Sequence, residues 1–95
     1  MKEITVDTYD EFEELTKAQD IRVAEALYDA IINNLKTKKK NIHFLTVYVN
    51  EDESICDLSI EREQFDNTLE NIIHTLIKHE EYEKCSKIKK ILNKK

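Results

Sequence analysis

The chain is 95 residues long, with 20 carboxylates against 15 Lys and Arg for a net charge of −5, and with 40% hydrophobic and 37% charged residues. That length allows one domain burying about 60 to 65 per cent of its unfolded surface, enough for a modest core and too little for a deep multi-walled cleft. Glycine and proline are both absent, where average usage would supply about a dozen. Phosphate-cradling loops, dinucleotide fingerprints and strained nucleophile turns all need glycine at positive φ, so those sites are excluded.

In chain order, Lys2 to Val6 alternates Ile4 and Val6 against Glu3 and Thr5 and predicts a short strand. Thr8 then opens a helix, with Glu11 three residues on as in a capping box and Asp10, Glu11, Glu13 and Glu14 in its first turns. Asp20 predicts the next N-cap, for a helix to about Leu35 with Ala24, Leu27, Tyr28, Ile31 and Leu35 at helical spacing. Lys36, Lys38, Lys39 and Lys40 follow, where cations meet the negative end of a helix.

Asn41 to Asn50 is rich in β-branched and aromatic residues and predicts a strand with Ile42, Phe44, Thr46 and Tyr48 on one side and His43, Leu45, Val47 and Val49 on the other. Both sides then need cover. A turn through Asn50 to Glu53 leads to a second strand, Ser54 to Ile60, forming a hairpin. Such a hairpin is marginal alone, so the N-terminal strand completes the sheet or an open edge pairs across a homodimer axis. Asn41, Asn50 and Asn93 are the natural candidates for left-handed backbone.

Residues 61 to 78 predict the strongest helix, with Phe65, Leu69, Ile72, Ile73, Leu76 and Ile77 forming a stripe broad enough for two neighbours. His79 and Glu80 mark a break, after which Tyr82, Cys85, Ile88, Ile91 and Leu92 stripe a last helix. Residues 61 to 94 thus read as an αα-hairpin, and the whole as a single α+β domain over 1–95, in the order β-α-α-β-β-α-α.

The wording of that last helix carries a resemblance. Glu81, Tyr82, Glu83 and Lys84 have an acidic-aromatic-acidic opening, Cys85 and Ser86 are a pair of small residues, and Ile88 and Ile91 are apolar anchors. Residues 61–95 are in this way similar to the UVR motif, the helical hairpin through which UvrB and UvrC contact each other. Lys89 and Lys90 stand where that family shows an Arg-Asp pair. The resemblance implies an adaptor that pairs with another protein.

Catalytic and metal chemistry find little purchase. Cys85 and His79 are six residues apart and off one helical face, and Cys85 falls on the packing stripe, which suits a core thiol better than a nucleophile. His74 and His79 miss the i, i+4 spacing of a helical metal pair, and no Cys-x-x-Cys occurs. His43, Tyr28, Tyr48 and Tyr82 read as packing or boundary residues. No cofactor is implied. Two cysteines, no signal peptide and no apolar run near eighteen residues predict a cytoplasmic protein with free thiols. Heavy use of Lys, Ile, Asn and Glu suits the AT-rich genomes of many bacteria and their phages.

Charge is arranged in blocks. Residues 51–83 hold eleven carboxylates against two cations, residues 36–40 hold four lysines, and residues 84–95 hold six. The function these features predict is a non-enzymatic adaptor, modulator or inhibitor of a larger complex, of a kind that suits a phage protein, binding through Glu80, Glu81, Glu83, Lys87, Lys89 and Lys90. Neither membrane nor nucleic acid is the expected partner. Two alternatives stand beside it. One is an acidic nucleic-acid mimic presenting Asp10, Glu11, Glu13, Glu14, Glu51, Asp52, Glu53, Glu61 and Glu63. The other is direct nucleic-acid binding by Lys36, Lys38, Lys39 and Lys40 with the lysines from Lys84 to Lys95, which requires the two groups to converge in the fold.

Overall fold

A computed structural model describes residues 2–17 and 20–94 and has the α+β order that the patterning predicts. The elements are β1 (Glu3–Val6), α1 (Tyr9–Lys17), α2 (Ile21–Asn33), β2 (Asn41–Val49), β3 (Ser54–Glu61), α3 (Phe65–Lys78) and α4 (Tyr82–Asn93). A 3₁₀ turn, Arg62–Gln64, joins β3 to α3, so the strongest helix starts at Phe65 and not at residue 61.

β2 is the central strand of three. β1 runs parallel to it with Ile4 opposite Val47 and Val6 opposite Val49, and β3 runs antiparallel on its other side. The N-terminal strand therefore completes the sheet within one chain.

A register shift between His43 and Leu45 corrects the predicted alternation of β2. Phe44 is the extra residue of a bulge, so Ile42 turns to the same side as Leu45, Val47 and Val49, opposite Ile60, Leu58, Cys56 and Ser54. One side of the sheet is apolar and buried. The other carries Glu3, Thr5, His43, Thr46, Tyr48, Ile55, Asp57 and Ser59, and the exposed alternate residues of β1 and β3 leave it open. Cover on both sides is not needed, because the bulge moves the apolar surplus to one side.

Helix α2 is the wall between two buried clusters. Ala26 packs with Ile4, Val6, Leu15, Leu45, Val47 and Val49 beneath the sheet. Ala24, Tyr28 and Ile31 pack instead with Phe65, Leu69, Ile72, Leu76, Cys85 and Ile88. The small side chain of Ala26 lets the helix approach the strands closely, while the larger residues of the opposite face interleave with α3. Asp20 caps α2 as its sequence position predicts, accepting from the Arg22 amide at 2.8 Å. The helix stops at Asn33, and Leu35, read as part of the stripe, lies beyond it with 40% of its surface exposed.

The α3–α4 connection is a Schellman-type turn. The Glu80 amide donates to Ile77 O at 3.0 Å and the Glu81 amide to Leu76 O at 2.8 Å. Glu80, at φ 60°, occupies the left-handed position usually given to glycine, and Glu53, at φ 59°, does the same in the β2–β3 turn. The asparagines proposed for this role do not take it: the positive-φ positions among the described residues are these two glutamates.

Candidate functional site

Three surfaces compete as the working site: the tip of the α3–α4 hairpin, an acidic end and a basic end. The hairpin comes first because the sequence points to it. Cys85 Sγ lies 3.8 Å from Ile73 O, which fixes where the two helices cross. Lys84 docks the start of α4 onto α2, with its Nζ 3.8 Å from both Glu25 and Glu81 and 5.6 Å from the centre of the Tyr28 ring. Glu80, Glu83, Lys87, Lys89 and Lys90 are exposed. Glu83, Lys87 and Lys90 follow an i, i+4, i+7 spacing and share the outward face of α4. Glu81 differs, being half-buried, the N-cap residue of α4 and a partner of Lys84.

Two apolar side chains that the sequence assigns to packing sit among these charges. Tyr82 is 61% exposed and Ile77 42% exposed. They flank the turn on consecutive helix ends, so the tip has an apolar centre with an ionic rim. The excess width of the α3 stripe was the available signal, since one neighbour cannot cover six apolar residues and α4 covers only part of what α2 leaves.

At the acidic end, four carboxylates, Asp7, Glu11, Glu51 and Asp52, accept hydrogen bonds from the protein itself. Tyr9 Oη donates to Asp52 Oδ2 at 2.6 Å and lies 2.9 Å from Ser54 Oγ. Glu51 accepts the Tyr9 amide at the start of α1, Asp7 accepts from Asn50 Nδ2, and Glu11 accepts the Asp7 amide. Thr8 caps the Glu11 amide, so half of the predicted capping box forms, while the Glu11 carboxylate reaches one residue further back. Hydrogen bonding from Ser54, and after it from Tyr9, holds the Asp52 carboxyl below its ordinary value, and Asp52 in turn raises the Tyr9 hydroxyl.

The basic end is built around one arginine. Arg62 Nε donates to Lys39 O at 2.8 Å, and its Nη2 donates to Asn34 O at 2.9 Å and Thr37 Oγ1 at 2.8 Å. Its amide donates to Lys40 O at 2.7 Å, and its guanidinium lies 5.0 Å above the Phe65 ring. The loop from Asn34 to Lys40 is thereby tied to the start of α3. Lys36, Lys38, Lys39 and Lys40 are all exposed.

The open side of the sheet holds a cluster that the sequence did not disclose. His43 Nε2 lies 2.9 Å from Thr46 Oγ1, which donates to Asp57 Oδ1 at 2.8 Å. The three join only because the bulge turns His43 to the side of Thr46. Thr46 is 4% exposed and its hydroxyl is held between carboxylate and imidazole, the reverse of a hydroxyl giving its proton to a histidine base. Cys85 is buried, which pushes its thiol up, and its polar contact is Ile73 O, with His79 exposed at the helix end. Among the described residues no group of His, Cys, Asp and Glu has the arrangement of a metal site, and no helix is long and apolar enough to cross a membrane.

Comparison of the chain with known protein families, with curated proteins and with solved structures finds no match in any of the three.

Proposed function

We propose that this protein works without catalysis, as an adaptor or modulator that binds another protein through the tip and outer face of its α3–α4 hairpin. The observation that carries the reading is the exposed pair Ile77 and Tyr82 beside the exposed carboxylates Glu80 and Glu83, with Lys87, Lys89 and Lys90 continuing along the exposed surface of α4. An apolar centre with an ionic rim is the general layout of a protein-binding patch, and an exposed Tyr is a frequent anchor in one. The similarity of residues 81–91 to the second helix of the UVR motif points the same way.

Glu81 contributes indirectly in this reading, by holding Lys84 and the start of α4, so the useful substitutions avoid it. Tagged protein is to be incubated with lysate after nuclease treatment, alongside the double variants Ile77→Ser/Tyr82→Ser and Glu83→Lys/Lys87→Glu. A protein captured by the parent chain and lost with both variants, at unchanged helical circular dichroism, supports the hairpin as the docking surface. Capture that survives both variants moves the binding site off the hairpin.

A further inference from the structure

Whether the two groups of lysines meet is undecidable from the sequence, and the fold answers it. Helices α3 and α4 run antiparallel through a short turn, with Cys85 beside Ile73. Each residue advances a helix by about 1.5 Å, so moving along α4 from Cys85 to Lys94 covers the same distance as moving back along α3 from Ile73 to Gln64. The last turn of α4, with Lys90, and the C-cap residue Lys94 therefore lie level with the segment that Arg62 ties to the Asn34–Lys40 loop. Both lysine groups sit at one end of the molecule, opposite the hairpin tip. Lys95 lies outside the described residues.

The wiring of this end pairs none of the loop lysines with a carboxylate among the described ion pairs, although Glu61 and Glu63 flank Arg62. Arg62 directs its guanidinium at main-chain carbonyls and a hydroxyl, so the loop is held by hydrogen bonds that consume no lysine and bring in no carboxylate. Among the described ion pairs, Lys2, Arg22 and Lys84 have carboxylate partners and the loop lysines have none. A charged loop that is anchored at its backbone loses little conformational freedom on binding, which lowers the cost of association.

We propose that Lys36, Lys38, Lys39 and Lys40, with Lys90 and Lys94, form a platform for the phosphate backbone of a nucleic acid. Lysines without interleaved aromatic residues suit sequence-independent phosphate contact and not base readout. A shallow, open depression of about 410 Å³ between Lys40, Asn41, Arg62, Glu61 and Glu63 borders the platform. Its two carboxylates repel phosphate and confine the strand to the loop and the end of α4.

The test is fluorescence anisotropy of the full chain with labelled duplex DNA, single-stranded DNA and single-stranded RNA, from about 50 to about 200 mM salt. The expected result is binding at low salt, with log K falling against log salt at a slope of about −5 on duplex. Lys38→Ala/Lys39→Ala should make that slope shallower by about 2. Glu61→Gln/Glu63→Gln should tighten binding several-fold, and Ile77→Ser/Tyr82→Ser should leave it unchanged. The last arm separates this proposal from the hairpin reading, since each can fail alone. Absence of binding at about 50 mM salt would overturn the proposal, as would affinity indifferent to the loop substitutions. Equal or tighter binding to polyglutamate or to anionic lipid vesicles would overturn it in favour of those partners.

Discussion

The two charged ends of this molecule are held together by opposite means. At the acidic end three carboxylates are themselves fastenings: Asp52 takes the Tyr9 hydroxyl, Glu51 the Tyr9 amide, and Asp7 the Asn50 amide group. At the basic end a single arginine fastens the loop through main-chain oxygens, and the lysines are left over. Charge counted along a sequence does not distinguish these cases. A carboxylate accepting intramolecular hydrogen bonds offers less to a partner than its formal charge suggests, whereas an exposed, unpaired lysine offers all of its charge.

Four substitutions test how each end is held. The largest effect should come from Ile88→Ala, which opens a cavity at a fully buried position where α4 packs into the core. About 3 kcal/mol of stability should be lost, read by urea denaturation, and the nucleic-acid affinity should fall with it as α4 loosens. Arg62→Ala should follow at about 2 kcal/mol, because Asn34 O and Lys39 O lose a charged donor and Phe65 its stacked cation. Arg62→Lys should not restore it, since an ammonium cannot span those acceptors as the planar guanidinium does. If Arg62→Ala unfolds no more readily than the parent, the loop is not held as described.

Glu80→Gly should raise stability by about 1 kcal/mol, because the left-handed backbone at the hairpin tip strains a residue with a Cβ. The same change deletes a carboxylate from the proposed docking rim, so greater stability with weaker partner capture would assign Glu80 a binding role. Unchanged capture would confine the site to Ile77, Tyr82 and α4.

Tyr9→Phe should give the smallest loss, below that of Arg62→Ala. Its pH dependence has a definite sign. Asp52 is lowered in the fold, so its contribution is present above its unfolded value, about 3.9, and is lost as pH falls through the folded value. Tyr9 is raised, so its contribution is present below its unfolded value, about 10, and is lost as pH rises through the folded value. The difference in thermal midpoint between parent and Tyr9→Phe should be steady between those limits and shrink outside them. A difference independent of pH would mean that the hydroxyl does not bridge the turn to α1.

Much of the fold was legible because its signals are local. Helical spacing places α2, α3 and α4, β-branched runs place β2 and β3, and the capping chemistry of Asp20 needs only its own helix. The charged rim on α4 was legible for the same reason, as exposure follows from the period of the helix. Tyr82 misled because its spacing from Cys85 suits the buried stripe, yet it lies at the first turn, beyond the reach of α3.

The element order, the absence of glycine from the turns, the helical hairpin and the blocks of charge can all be read from local patterning. The tertiary structure decided where those blocks lie and what they are engaged with. It also decided three particulars that depend on residues distant in the chain. The bulge at Phe44 arises from pairing with β3 and turns His43 toward Thr46 and Asp57. The left-handed glutamates follow from closing two turns without glycine. The clamp of Arg62 on Asn34, Thr37 and Lys39 joins residues more than twenty positions apart, and no periodicity carries such a contact. Local spacing sets what each segment is; only packing sets which side chains meet.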